Sequence, residues 1–157
     1  MKSKGQAALE FLMTYGWAIM LVIVVVGALY ATGMLKPCRW VGVQIRDFPP
    51  SQFGVQHIAT NATHMVIELT NNNLRKVNIT NVIAEVYTDG SRLDESKVNV
   101  SFEREKIPFE LEVGGKVKTY ISFGELSSGT CIDIKLAINY TIDEVPTSVT
   151  GRISHSV

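Results

Sequence analysis

The sequence predicts an α+β protein in which a long hydrophobic N-terminal α-helix precedes an antiparallel β-sandwich of the immunoglobulin-like type. Two observations carry this prediction. Residues 11–35 form 25 consecutive uncharged positions, long enough for a helix that crosses a bilayer. After Pro37 the apolar residues alternate with polar ones, which is typical of strands with one face in a core. We therefore expect a leader at 1–5, a membrane-spanning helix at 6–35 and a β-sandwich at 36–157.

The leader differs from an ordinary secretory signal peptide. Lys2 and Lys4 supply a positive start, but the small residue Gly5 precedes the apolar run, whereas a secretory cleavage site follows it. Cleavage between Gly5 and Gln6 would leave the hydrophobic helix on the mature protein. Positive residues stay on the cytoplasmic side of a membrane. We therefore expect a cytoplasmic N-terminus and an extracellular β-domain.

The predicted helix is apolar on all sides, which is typical of a helix buried in lipid or among other helices. Glu10 immediately precedes the uncharged segment 11–35. A carboxylate at a membrane helix is costly and usually has a partner, although the first turn of a helix also favours an acid. Gly27 and Ala31 are four residues apart and could form a close packing face. Both residue types are also common in membrane helices.

Residues 5–26, GQAALEFLMTYGWAIMLVIVVV, resemble the start of archaeal type IV pilins and pilin-like proteins, which carry a class III signal peptide. In that family a membrane-embedded prepilin peptidase cuts before the Gln, and a Glu follows four residues later. Gln6 and Glu10 match these positions, while Ala8 and Thr14 replace the usual Ser and Leu. The resemblance implies that Glu10 meets the free α-amine of Gln6 in a neighbouring subunit and sets the register of assembly.

The resemblance further implies a homopolymer joined through its N-terminal helices, built by a membrane assembly platform and its ATPase. The function expected is a structural subunit of a surface filament that serves adhesion or surface attachment, held in the cell membrane before assembly. A minor pilin or an archaellin-like subunit is an alternative within the same class. A membrane-anchored monomeric surface binding protein is the alternative from another class.

No enzyme, cofactor or metal site is predicted. The sequence lacks G-x-S-x-G, the P-loop, H-E-x-x-H and G-x-G-x-x-G. The histidines are His57, His64 and His155, and none lies at metal-ligand spacing with a cysteine. Fifteen basic and fifteen acidic residues balance and are scattered along the chain, so we expect no nucleic-acid binding.

Alternating segments predict about seven or eight strands around one core. The segments are 43–46, 65–69, 98–102, 107–111, 117–123, 132–142 and 149–153, together with 77–87. The segment 77–87 changes phase near Asn81, which predicts a β-bulge or two adjoining strands. The pairs Asp89-Gly90 and Gly114-Gly115 predict turns.

Cys38 and Cys131 are the two cysteines of the chain. An even number in an exported domain favours a disulfide. Closing a loop of about 94 residues would contribute up to roughly 4–5 kcal/mol in the chain-entropy model. Two free buried thiols are the alternative.

Four asparagines match the N-x-S/T acceptor for glycosylation: Asn61, Asn78, Asn99 and Asn139. The last three occupy the polar positions of the alternating pattern in predicted strands. They should therefore face solvent, where a glycan could attach. The alternative is that Asn and Thr are simply frequent in exposed β-domains.

Overall fold

The computed structural model of the chain describes residues 4–32, 38, 42–103 and 106–157. It is an α+β protein with one N-terminal helix followed by antiparallel strands. The chain divides into two compact units, Met1–Pro37 and Cys38–Val157, and each is described by itself. The predicted leader residues 1–3 and helix residues 33–35 lie outside the described part.

Helix α1 spans Lys4–Ala31. Its segment 22–26 consists only of β-branched residues, which have low helix propensity in water. In an apolar medium the helix is nevertheless favoured. Main-chain N–H and C=O groups cannot hydrogen-bond to water there, and a helix satisfies them within one segment. The backbone N–H of Thr32 donates to the Ala28 carbonyl at 3.0 Å and continues the last turn.

The second unit contains ten strands among its described residues. They are β1 (Gln44–Arg46), β2 (Phe53–Thr60), β3 (His64–Asn71), β4 (Val77–Thr88), β5 (Ser91–Arg92), β6 (Asn99–Phe102), β7 (Phe109–Leu111), β8 (Lys116–Ser122), β9 (Cys131–Ile142) and β10 (Val145–Ser156). A 3-10 helix, Glu95–Lys97, lies between β5 and β6. The Asp94 side chain caps this helix by accepting a hydrogen bond from the Ser96 N–H at 3.2 Å.

The strands form two sheets. A six-stranded sheet has the order β1-β10-β9-β4-β5, with β7 also paired to β4, and a four-stranded sheet has the order β2-β3-β8-β6. Every described pairing is antiparallel. The six-stranded sheet curls into a half-barrel. This architecture confirms the α+β class with antiparallel strands, and it does not establish an immunoglobulin-like sandwich.

The two sheets share one hydrophobic core, and β9 lies at its centre. Ile134, Leu136 and Ile138 of β9 have no exposed surface. The rings of Phe53 in β2 and Tyr140 in β9 meet edge to face, with centroids 5.0 Å apart. Full burial of a large apolar side chain stabilises a fold by about 1.5–3 kcal/mol. The apolar residues of β9 are therefore a main source of cohesion between the sheets.

The strand pattern agrees with the sequence at some points and departs from it at others. The register of β4 against β9 shifts between Ile79 and Asn81, which confirms a β-bulge within a single strand. Strand β10 is twelve residues long and extends well beyond the predicted segment 149–153. Strand β2 was not predicted, because its alternation is interrupted: Ile58 is exposed, and the pairing register shifts just before Ala59.

Both predicted turns are confirmed. Asp89 and Gly90 have φ values of 47° and 85° and connect β4 to β5. Positive φ at both central residues is typical of a tight two-residue hairpin turn. Gly114, with φ at 70°, lies within the turn between β7 and β8, which the Gly115 N–H closes by donating to the Glu112 carbonyl at 2.8 Å.

Asn71 is a fully buried polar residue at the end of β3. Its side-chain amide donates to the main-chain oxygens of Arg75, Leu111 and Glu112 at 3.0, 2.9 and 3.1 Å. Its Oδ1 accepts from the Asn73 N–H at 2.9 Å. These bonds compensate for the loss of water on burial and join the end of β3 to β7.

Candidate functional site

Most of the large apolar side chains that the structure describes in α1 are exposed in the single chain. Met13 is 81% exposed, Trp17 66% and Met20 68%. The 19-residue stretch Met13–Ala31 is long and apolar enough to cross a membrane. A continuous exposed apolar surface of this size marks a contact with lipid or protein.

Glu10 lies exposed on α1. The Thr14 hydroxyl donates to the main-chain oxygen of Glu10 at 2.7 Å, so this bond does not use the carboxylate. The rings of Phe11 and Tyr15 pack against each other, with centroids 4.8 Å apart. Within the described part of the chain no cation pairs with the Glu10 carboxylate. The carboxylate is therefore available to a cation from another molecule.

Gly5 and Gln6 both lie within α1, as does Glu10. Residues four apart on a helix share one face, so Gln6 and Glu10 lie along the same side of the helix. Gly27 and Ala31 are exposed, and a Cβ added at Gly27 would meet no atom within 4 Å. This small-residue face is open in the single chain.

Cys38 and Cys131 form a disulfide, with their Cα atoms 5.9 Å apart. The alternative of two free thiols therefore does not apply to this structure. The bond joins the first residue of the second unit to the first residue of β9, across 93 positions of sequence.

The four candidate acceptors for glycosylation differ in their surroundings. Asn61 and Asn99 are exposed, whereas Asn78 and Asn139 are half-buried on the adjacent strands β4 and β9. Asn61 lies in the turn between β2 and β3. Its Oδ1 accepts hydrogen bonds from the N–H groups of Thr63 and His64 at 2.9 and 2.8 Å.

The structure brings together two histidines that lie far apart in the sequence. The rings of His57 in β2 and His155 in β10 have centroids 5.2 Å apart, so the pair links the two sheets. His57 Nε2 lies 2.7 Å from the Thr60 hydroxyl, and His155 Nδ1 is buried with no hydrogen-bond partner in the described chain. Burial lowers the pKa of both imidazoles, and the charge of His57 lowers the pKa of His155 further.

These lowered pKa values predict that acid destabilises the second unit. The unfolded chain binds protons near pH 6.5, the ordinary pKa of histidine, whereas the folded pair binds them only at lower pH. The free energy of unfolding is therefore highest above pH 6.5 and falls as the pH drops through that value. The measurement is the melting temperature of the full chain in detergent at about pH 8 and about pH 5.

His57→Gln and His155→Gln should each reduce the difference between these two melting temperatures. His64→Gln is the matched control, because His64 lies outside the pair, and it should leave the difference unchanged. An equal pH dependence in all four proteins would contradict the prediction.

No protein-family model and no curated protein matches the chain. The GAE domain of GGA2p from Saccharomyces cerevisiae is a solved structure with partial similarity, at 9% sequence identity and a TM-score of 0.37. The match covers 74% of this chain and 97% of that domain. A likeness this distant supports no assignment of fold family or function.

Proposed function

We propose that the chain is a structural subunit of an archaeal type IV pilus-like surface filament. The observation that carries the proposal is the exposed apolar stretch Met13–Ala31 of helix α1, which follows the Gly5-Gln6 junction and Glu10 in the same helix. Such a helix requires an apolar environment, and it can exchange lipid for sister helices as subunits polymerise. The open face at Gly27 and Ala31 would allow close approach of neighbours.

The proposed mechanism begins in the cell membrane, where the chain spans once with its N-terminus in the cytoplasm. A prepilin peptidase removes residues 1–5 and frees the α-amine of Gln6. A membrane assembly platform and its ATPase then extract the subunit into the filament. In the filament the amine of Gln6 pairs with Glu10 of a neighbouring subunit. This pair satisfies the buried carboxylate and sets the axial register.

The second unit then forms the outside of the filament, where adhesion or surface attachment takes place. We propose that its two sheets form a variant of the immunoglobulin-like sandwich, in which one sheet is curled. Asn61 and Asn99 are the acceptors most open to glycosylation, because they are exposed.

N-terminal sequencing of the protein from its native host tests the proposal. A mature chain that begins at Gln6 supports a filament subunit. A chain that retains Met1 or Lys2 favours the membrane-anchored monomeric binding protein and contradicts the proposal. Replacing Gly5 with a bulky residue should block processing, whereas the matched change Ser3→Ala should leave it intact.

A further inference from the structure

The outer face of the six-stranded sheet carries three cations side by side. Arg46 in β1 pairs with Arg152 in β10, and Arg152 pairs with Lys135 in β9. Residues directly opposite each other in antiparallel strands place their side chains on one face, about 5 Å apart, and like charges in that relation are destabilising. We name these three residues the cationic row. Their mutual repulsion would be relieved by an anion lying across them.

The protein's own acids neutralise the cationic row only in part. Glu85 in β4 lies opposite Lys135, with a carboxylate oxygen 3.7 Å from Lys135 Nζ. The same carboxylate is closer to Arg92, at 3.1 Å. No acid of the described chain forms an ion pair with Arg46 or Arg152. Arg46 donates a hydrogen bond to the side-chain oxygen of Gln44, which is uncharged, so the charges of both guanidinium groups remain without a protein anion in the described chain.

A groove of about 450 Å³ adjoins the cationic row. Lys135 and Arg152 lie in its wall, and the polar side chains of Tyr87, Asp133 and Ser154 line it beside the disulfide-bonded cysteines, Gly90 and Ile132. The Ser154 hydroxyl donates to Asp133 Oδ1 at 3.1 Å, which leaves Oδ2 able to accept another hydrogen bond. An anion that carries no hydroxyl groups would be repelled by Asp133, whereas a ligand with hydroxyl groups could donate to it. The groove therefore favours a ligand that is both anionic and rich in hydroxyl groups.

We propose that the cationic row and its groove bind an acidic polysaccharide, a chain of sugar units bearing carboxylate or sulfate groups. The guanidinium groups of Arg46 and Arg152 can each donate two parallel hydrogen bonds to a carboxylate or sulfate group. Asp133 accepts from a sugar hydroxyl, and the ring of Tyr87 offers a flat apolar surface to a sugar face. This binding is a property of the single subunit and does not depend on the proposed filament.

The test is a binding titration of the full chain in a nonionic detergent with polygalacturonate and with dextran sulfate. Binding to polygalacturonate alone identifies a carboxylate site, and binding to dextran sulfate or to both identifies a sulfate or general oxyanion site. Arg152→Gln and Lys135→Gln should each weaken binding at least about tenfold, the loss expected for one charge-assisted contact. Raising the salt from about 0.1 M to about 1 M should also weaken binding, because it screens the charges.

Lys97→Gln is the matched control, because it removes the same charge from an exposed position on the 3-10 helix. It should bind as the unchanged protein does. The proposal is overturned by absence of binding, by equal binding of neutral dextran or poly-glutamate, or by an Arg152→Gln variant that binds normally. If a melting curve shows that Arg152→Gln is unfolded, Arg46→Gln on the short edge strand provides the same test.

Discussion

Replacing Glu10 with alanine is expected to leave the chain in the membrane while reducing surface filaments at least about tenfold. The reason is that the proposed amine–carboxylate pair forms only between subunits, in apolar surroundings where a charge-assisted hydrogen bond is strong. The apolar stretch Met13–Ala31 is untouched by the change, so insertion into the membrane should persist. Membrane fractionation and quantification of sheared filaments measure the two effects separately.

Two further variants sharpen this test. Glu10→Gln keeps the size and hydrogen-bonding capacity of the side chain but removes its charge, so a similar loss of filaments would assign the effect to the ion pair. Glu125→Ala removes an exposed acid from the second unit and should leave filaments at their normal level. Normal filaments from Glu10→Ala would exclude Glu10 from the assembly mechanism.

Removal of the disulfide is expected to cost the second unit roughly 2–5 kcal/mol of unfolding free energy. The bond closes a loop that contains most of the second unit, so its loss greatly enlarges the freedom of the unfolded chain. The cleanest variant replaces both Cys38 and Cys131 with serine, because a single replacement leaves a free thiol. Denaturant titration of the full chain measures the change.

The reductant provides the control for this prediction. Treatment with a thiol reductant should lower the stability of the unchanged protein to that of the double variant, and it should not affect the double variant itself. A stability that is the same with and without reductant would contradict the predicted contribution of the bond.

The sequence predicts those elements whose apolar pattern follows from local burial. Strand β9 is predicted from the sequence because every second residue from Ile132 to Tyr140 is buried and apolar. The bulge in β4 is visible near Asn81 because an extra residue moves the alternation to the other face. Strand β2 is less visible, because its own bulge interrupts the alternation at Ile58.

The features that depend on strand pairing could not be predicted from sequence alone. Arg46 is far from Lys135 and Arg152 in the chain, and only the register of three strands brings the three residues into a row. In the sequence the basic residues are therefore scattered, with no sign of this row. The contact between His57 and His155 has the same origin, since it joins strands of different sheets. Neither arrangement leaves a motif with recognisable spacing.

The position of the disulfide also determines how the second unit responds to mechanical tension. A pull arriving through residue 38 would otherwise reach β1 first, a three-residue edge strand that could be peeled from β10. The covalent link passes the force to Cys131, in a strand flanked by β10 and β4 along its length. Under load the second unit would thus be held by a strand that is paired along both of its edges.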